Sequence, residues 1–593
     1  MKPSGRQKTG SALFLMLLVL TATAQKQPAA PLFTLMNEKQ TGISFLNTIK
    51  EDDSLNVMQY EYLYNGAGVG IGDFNNDGLP DIFFSGNTGP FKLFLNKGNF
   101  QFTDITRQAG VAGNNTWGTG VSIADVNGDG LPDIYVCHSG KYASPEKLSN
   151  ELFINQGLKN GIPFFKDMAV EYGLDAPGTL STQAAFFDYD GDGDLDMFLL
   201  NHSNHTYNPF LNTRKVRSTP NFSFGNRLFR NDRDAGGHIH FTDVTLQAGI
   251  INNALNFGLS VTVSDVNKDG WPDIYTTSDY TERDCFYINN QDGTFTESLS
   301  KSFAHISKYA MGADIADYNN DGRPDVFTLD MLPEDNHRQK LLKGPDEYDQ
   351  YHLLLDSGYY HQQMRNMLQL NQGADQKGNM RFSEIGQLAG VSNTDWSWSG
   401  LLADFDNDGW KDLFISNGYL RDFTDLDFLK YTVADARVAA IKKGNYNFKT
   451  YELVRKMPSN KLNNYIFQNN HQLGFSNKTA DWGLLKPSVS NAAAYADLDN
   501  DGDLDLIICN NNEPVMVYRN NENELLHNHF IKIRLQGTGL NTKAYGAKVL
   551  LTTSDGVQQY QELYPVRGYQ STTTQELLFG FSAQLNIRQL IVT

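Results

Sequence analysis

Seven stretches of the 593-residue sequence share one nine-residue form, D-x-[DN]-x-D-G-x-x-D. Oxygen-bearing side chains recur at positions 1, 3, 5 and 9. The first three sets are Asp73, Asn75, Asp77 and Asp81; Asp125, Asn127, Asp129 and Asp133; and Asp188, Asp190, Asp192 and Asp196. The remaining four are Asp265, Asn267, Asp269 and Asp273; Asp317, Asn319, Asp321 and Asp325; Asp404, Asp406, Asp408 and Asp412; and Asp497, Asp499, Asp501 and Asp505. Such spacing suits capture of a hard divalent cation. Ca²⁺ takes six to eight oxygens at about 2.3–2.6 Å, and a short loop can deliver four side chains and the carbonyl of position 7 to one point. Position 6 is glycine in every copy, which permits the φ > 0 turn that folds the two halves together. Zn²⁺ would call for His or Cys, which the loops lack, and Mg²⁺ favours a strict octahedron that keeps its waters. The expected cofactor is Ca²⁺, up to seven ions, one per loop.

Twenty-four of the 68 acidic residues lie at these positions. Crowded without a cation they would repel one another, so the ion is expected to be a structural requirement. The plainer reading is a set of Asx-rich hairpin turns held by local hydrogen bonds. An EF-hand begins with the same letters but needs a Glu at position 12 and flanking helices. Position 12 here is Phe84, Val136, Leu199, Thr276, Thr328, Ile415 or Ile508, and the flanks, such as Ile134-Tyr-Val-Cys137, read as strands.

The elements that position the loops follow from what surrounds them. A Gly-rich strand precedes each loop, as in Gly68–Gly72, Trp117–Gly120 and Phe257–Gly258. A strand ending in Asn follows (Leu93–Asn96, Leu152–Asn155, Leu228–Asn231, Met367–Asn371), and then a phrase such as Phe102-Thr-Asp-Ile-Thr106. About four short strands per repeat is the content of a propeller blade. Successive first aspartates are 52, 63, 77, 52, 87 and 93 residues apart, one blade at the minimum and a blade with insertions elsewhere. The expected fold is therefore all-β, a seven-bladed β-propeller closed into a toroid without a long open edge. The units resemble the FG-GAP/VCBS repeats of the integrin α-subunit head, which implies Ca²⁺ in hairpin loops on the lower rim. The resemblance covers roughly residues 60–525.

From His527 onward, Phe530–Gly537, Asn541–Val549, Arg567–Ser571 and Leu578–Phe581 are similar to the ASPIC/UnbV domain of bacterial proteins and of the cartilage acidic protein family. A small C-terminal β domain over 527–593 is expected. Its sequence stops at Thr593 inside a strand, where that family continues into a Trp-Pro segment, so the domain is expected to be incomplete.

Composition narrows the function. With 49 Lys+Arg against 68 Asp+Glu the formal charge is −19, which argues against nucleic acid as a partner. Lys2, Arg6 and Lys8, the apolar run Ala12–Leu20 and the small-x-small Ala22-Thr-Ala24 read as a removable signal over residues 1–24. The run is too short to span a bilayer, no other is long enough, and no Cys follows the cut at Gln25 to take a lipid. Export to the periplasm, outer surface or medium is expected, with residues 25–59 as a lead-in. Three cysteines make a poor disulfide framework, and Cys137 and Cys509, in equivalent apolar strands, read as buried small hydrophobes.

Two insertions interrupt the repeat. One holds Glu334, Asp335, His337 and Arg338; the other holds Arg421 and Asp422, followed by a helix around Ala434–Lys443. Together these residues could hold a polyanion or work as acid and base on a sugar acid, although no nucleophile-base-orienter set is present. Trp396 and Trp398 could stack on a sugar, with core packing as the plainer role. The reading as a whole is a calcium-binding β-propeller that binds protein or glycan ligands on the face opposite the loops. Alternatives are a lyase-like enzyme built on 334–338 and 421–422, and a structural partner of envelope proteins.

Overall fold

The computed structural model describes residues 30–204, 208, 213–234, 236–344, 348–442 and 450–593. The expected signal, residues 1–24, lies outside them. The chain is all-β, with mostly one-turn helices between strands.

Seven antiparallel sheets follow one another. Sheet 1 runs Val69–Gly72, Asp81–Phe84, Lys92–Asn96 and Phe102–Asp104, each strand paired with the next. Sheets 2 to 6 repeat that order from first strands Trp117–Ala124, Ser181–Phe187, Gly258–Ser264, Ala313–Ala316 and Ser397–Ala403. Sheet 7 takes Ser490–Ala496, Asp505–Asn510 and Met516–Asn520 from the end of the repeats, and Phe33–Met36 from the N-terminus as its fourth strand. The lead-in thus has a structural role that nothing local in its residues marks.

Each first strand packs against the first strand of the next sheet, and that of sheet 7 packs against that of sheet 1. All seven are buried along their whole length. Crowding explains their small residues: a Cβ on Gly120 would stand 2.3 Å from the carbonyl oxygen of Thr182 in the next sheet, so that strand admits no side chain there. Hydroxyls bond across the same joints, Thr119 Oγ1 to Ser181 O at 2.8 Å and Thr182 Oγ1 to Gly258 O at 2.8 Å. Apolar clusters fill the spaces between neighbouring sheets, as where Phe83, Phe91 and Leu93 meet Val121, Ile123 and Ile134. Cys137, Cys285 and Cys509 are free and buried, as the sequence implied for the first and last.

The C-terminal region forms two small sheets, His529–Ile533 with Leu577–Phe581, and Lys548–Thr553 between Gln558–Glu562 and Ile587–Val592. Between them a hairpin, Val566–Arg567 and Ser571–Thr572, leaves this region and packs against first strands of the sheets. Ser571 and Thr572 pair in parallel with Val69 and Gly70 of sheet 1. Arg567 meets buried Asp314 of sheet 5 at 2.8 Å, and the Ser260 hydroxyl of sheet 4 donates to Gly568 O at 2.5 Å. Tyr569, fully buried, lies against Trp398 of sheet 6. One hairpin therefore touches sheets 1, 4, 5 and 6. Tyr60, Tyr62, Leu63 and Tyr64, from the segment before sheet 1, belong to the same buried cluster as Tyr569 and Trp398.

Candidate metal centres

Every acidic loop joins the first strand of a sheet to its second and closes on its own first aspartate. In the first loop, Gly78 N–H donates to Asp73 Oδ2 at 2.8 Å and Asp77 N–H to Oδ1 at 2.9 Å. The glycine bond recurs in all the others, from Gly130, Gly193, Gly270, Gly322, Gly409 and Gly502. These glycines have φ between 80° and 101°, as the sequence required. Position 4 is left-handed as well, which explains Asn76, Gly128, Gly191, Asn320, Asn407 and Asn500 there, with Lys268 adopting φ 60°.

Position 9 is the most regular. Asp81 accepts from Phe74 N–H at 3.0 Å on one oxygen and from Asn96 N–H at 2.8 Å on the other. Asp133, Asp196, Asp273, Asp325, Asp412 and Asp505 each accept the equivalent two backbone bonds. The second donor always belongs to an Asn of the third strand, the last residue of that strand in sheets 1, 4, 6 and 7 and an inner one in sheets 2, 3 and 5. Its side chain does further work: Asn289 Nδ2 donates to Pro272 O in its own loop at 3.3 Å and to Tyr189 O in the preceding sheet's loop at 2.8 Å. Asn96, Asn155, Asn371, Asn469 and Asn520 reach back to the preceding loop in the same way, Asn96 bonding Leu498 O of sheet 7. The sequence showed these asparagines but not their role, because the acceptor lies in another repeat.

The donor set fits a divalent cation. Three acids converge, with ligand atoms within 4.8 Å of one another, at Asp188, Asp190 and Asp196; at Asp404, Asp406 and Asp412; and at Asp497, Asp499 and Asp505. These are the loops with Asp at position 3; the other four place Asn there, an uncharged oxygen in the same place. In the three all-Asp loops, Asp190 Oδ1, Asp406 Oδ1, Asp497 Oδ1 and Asp499 Oδ1 are buried without a hydrogen-bond partner. Burying carboxylate oxygens with nothing to satisfy them is costly unless a cation does so. Burial, and then repulsion from Asp406, pushes the Asp408 carboxyl up to about 8. The sequence reading missed Asp194 and Asp503, at position 7 of two of these loops. Both are buried beside the other acids, and burial followed by the neighbouring charges of Asp192 and Asp501 raises them to about 7 and about 9. A carboxylate at a position expected to offer only its carbonyl was the available signal.

The C-terminal region sits on this loop face. Lys532 Nζ is 2.8 Å from Asp497, Lys548 pairs with Asp265, and the Thr542 hydroxyl donates to Asp125. Arg519 lies 3.3 Å from both Asp499 and Asp501.

The insertion cluster does not converge on a free site. Arg338 is clamped between Asp395, at 3.1 Å, and Asp422, at 2.9 Å, and Arg421 pairs with Glu51 at 2.8 Å. Asp335 caps the helix Asn336–Leu342, Glu334 accepts from Tyr465 at 2.8 Å, and His337 is exposed. The expected helix is present at Ala434–Lys442. The two tryptophans divide: Trp398 is core and gives its N–H to Gly418 O at 2.6 Å, whereas Trp396 lines a cavity.

Against known families, the FG-GAP-like repeat matches residues 73–136 and 265–328, covering the first, second, fourth and fifth loops, and ASPIC and UnbV matches residues 537–593. The chain carries FG-GAP-like repeats and an ASPIC/UnbV segment. Among curated proteins, cartilage acidic protein 1 of Xenopus tropicalis is 31% identical over 160 residues, 27% of this chain and 22% of that protein. The mouse protein of that name is 32% identical over 136 residues, 23% of this chain and 20% of its own. The matched stretch thus spans about a fifth of these relatives. Among solved structures, an Agrocybe aegerita lectin that recognises non-reducing terminal N-acetylglucosamine aligns at 15% identity and TM-score 0.36, covering 73% of this chain and 83% of the lectin. The exotype rhamnogalacturonan lyase YesX aligns at 13% and 0.36, covering 77% and 72%. Similarity at that level carries no inference about ligand or reaction. No helix among the described residues is long and apolar enough to cross a membrane.

Proposed function

We propose that the FG-GAP repeats form a seven-bladed β-propeller loaded with Ca²⁺, exported from the cell, over roughly residues 60–525. The C-terminal β domain of 527–593 braces it, and the assembly acts as a binding module for a protein or glycan ligand. The observation that carries the calcium reading is the recurrence of one carboxylate geometry in seven loops, with unpartnered buried oxygens where all four positions are Asp. Side chains at positions 1, 3, 5 and 9 would hold each ion. Bound there, Ca²⁺ would supply charge compensation that locks each hairpin. The cyclic packing of the seven first strands supports the blade count. Acidic side chains fill the loop face, which favours ligand binding at the opposite ends of the sheets. Metal analysis of the purified chain, with melting curves before and after chelation, tests this. Close to seven Ca²⁺ per chain and a large fall in melting temperature on chelation are expected; no bound Ca²⁺ and an unchanged curve would refute it.

A further inference from the structure

Loop six draws on a side chain from outside its own nine residues. The turn between the third strand of sheet 6, Tyr465–Asn469, and its fourth, Phe475–Asn477, carries His471. The residue has φ 60°, and its N–H donates to Asn469 Oδ1 at 2.9 Å. Its ring lies nearly parallel to that of Trp410, position 7 of the loop, with centroids 5.0 Å apart. So held, His471 Nε2 is 2.6 Å from Oδ2 of Asp408, position 5. The corresponding residue, two past the third-strand Asn, is glycine in sheets 1, 2 and 5 and Arg233, Gln291 or Glu522 in the others. Sheet 6 alone has an imidazole there.

The rest of the loop calls for a cation. Asp404, Asp406 and Asp412, all buried, bring ligand atoms within 4.8 Å of one another. Asp406 is 2% exposed; its Oδ2 accepts from Gln468 Nε2 at 2.6 Å, while its Oδ1 has no partner. An ion enclosed by its ligands satisfies such an oxygen with no opening to solvent. Asp408 Oδ1 is taken by the Trp410 N–H at 2.8 Å, which leaves Oδ2, the oxygen beside His471, to turn to a cation.

The nitrogen changes which cation suits the loop. Ca²⁺ is hard and takes oxygen, whereas imidazole suits the later first-row metals. Donors on neighbouring corners of an octahedron with bonds of about 2.1 Å stand roughly 3 Å apart. The Nε2 and Oδ2 atoms therefore need only a small opening to share one ion. We propose that loop six takes a first-row transition-metal dication in preference to Ca²⁺, with His471 Nε2 joining Asp404, Asp406, Asp408 and Asp412 as a ligand. This rests on the calcium reading above and sets one loop of the seven apart. In calcium alone the loop fills as the others do.

The test uses Co²⁺, whose visible absorption reports nitrogen ligation. The full calcium-loaded chain, without an affinity tag, is dialysed against Ca²⁺ and Co²⁺ together, and its metal content and spectrum are compared with those of H471Q. Gln is the natural residue in sheet 4, where Gln291 Nε2 donates to Asp269 Oδ2 at 3.0 Å, so H471Q keeps a hydrogen bond on Asp408 and loses the imidazole. Wild type is expected to exchange one Ca²⁺ per chain for Co²⁺ and keep the others. Losing even an outer-shell partner costs about 10–100-fold in metal affinity, so H471Q should bind Co²⁺ at least about tenfold more weakly, with its calcium content and its melting temperature in calcium unchanged. Co²⁺ uptake that survives H471Q overturns the role of His471. A chain that keeps all its Ca²⁺ and takes no Co²⁺ overturns this inference alone, whereas a chain that holds no Ca²⁺ in calcium buffer overturns the calcium reading on which it rests.

Discussion

Replacing Asn289 by Ala would leave two buried carbonyls, Tyr189 O and Pro272 O, without the donor they now share. Each orphaned buried acceptor costs about 1–3 kcal/mol, so a loss of at least ~2 kcal/mol in denaturant unfolding is expected, although Asn289 touches no metal-ligating oxygen with its side chain. Gly270→Ala is a different kind of probe. A Cβ there meets nothing within 4 Å, so its cost is that of φ 101° alone, on the order of 1–3 kcal/mol, and larger if the turn must also close on a cation. A third expectation concerns protons. Burial raises the Asp284 carboxyl to about 7 while it accepts from Tyr275 O–H at 2.6 Å and Ser278 N–H at 2.8 Å. An unfolded Asp releases its proton near ~4. Between these values the folded chain holds the extra proton, so this group's contribution to stability is present at low pH and is lost as pH rises through about 7. Asp284→Asn removes the titration. The difference in melting temperature, variant minus wild type, should therefore climb between pH 5 and pH 8, and a flat difference would contradict the assignment.

At the scale of elements, the hairpin around Gly568 is the least expected feature and the most readily tested. Arg567→Ala would strand the fully buried carboxylate of Asp314. Breaking a buried pair from one side costs about 3–5 kcal/mol, while the double variant R567M/D314L should recover most of the loss. If the single variant melts like wild type, the hairpin is not seated as described. The contrast with the acidic loops explains what could be read from sequence. Asp73 to Asp81 carry their chemistry within nine residues, so spacing alone exposed them, and the Gly-rich first strands and short paired strands were legible for the same reason. Ser571 on Val69, or Phe33 on Asn520, is a pairing between segments hundreds of residues apart with nothing local to mark it. The insertion charges were visible too, but Arg338 and Arg421 find their acids at Asp395, Asp422 and Glu51, partners that only the folded chain brings together. Trp396 was singled out by type, and only its neighbours separate it from Trp398.

For the molecule as a whole, the hairpin ties together regions that look separable in sequence. A chain ending at residue 526 would leave Trp398, Asp314 and several first strands without the hairpin that packs on them. It is expected to melt well below the full chain and to expose apolar surface to a hydrophobic dye. Limited proteolysis of the intact protein should correspondingly fail to release residues 527–593 as a stable fragment while the remainder stays folded. Recovery of two independently stable pieces would show that the hairpin contacts are incidental.

The N-terminal strand of sheet 7 has a consequence for how the chain comes to exist. Phe33–Met36 is made hundreds of residues before its partner Met516–Asn520. At a synthesis rate of about 5–20 residues per second, that apolar strand waits roughly half a minute to a minute and a half with no edge to join. During that interval sheet 7 of another copy offers the same edge. An exchange of N-terminal strands between copies is therefore the characteristic assembly error for this topology. It would appear as dimers whose fraction grows with concentration during refolding, and that disappear when residues 30–36 are removed and then supplied as a separate peptide.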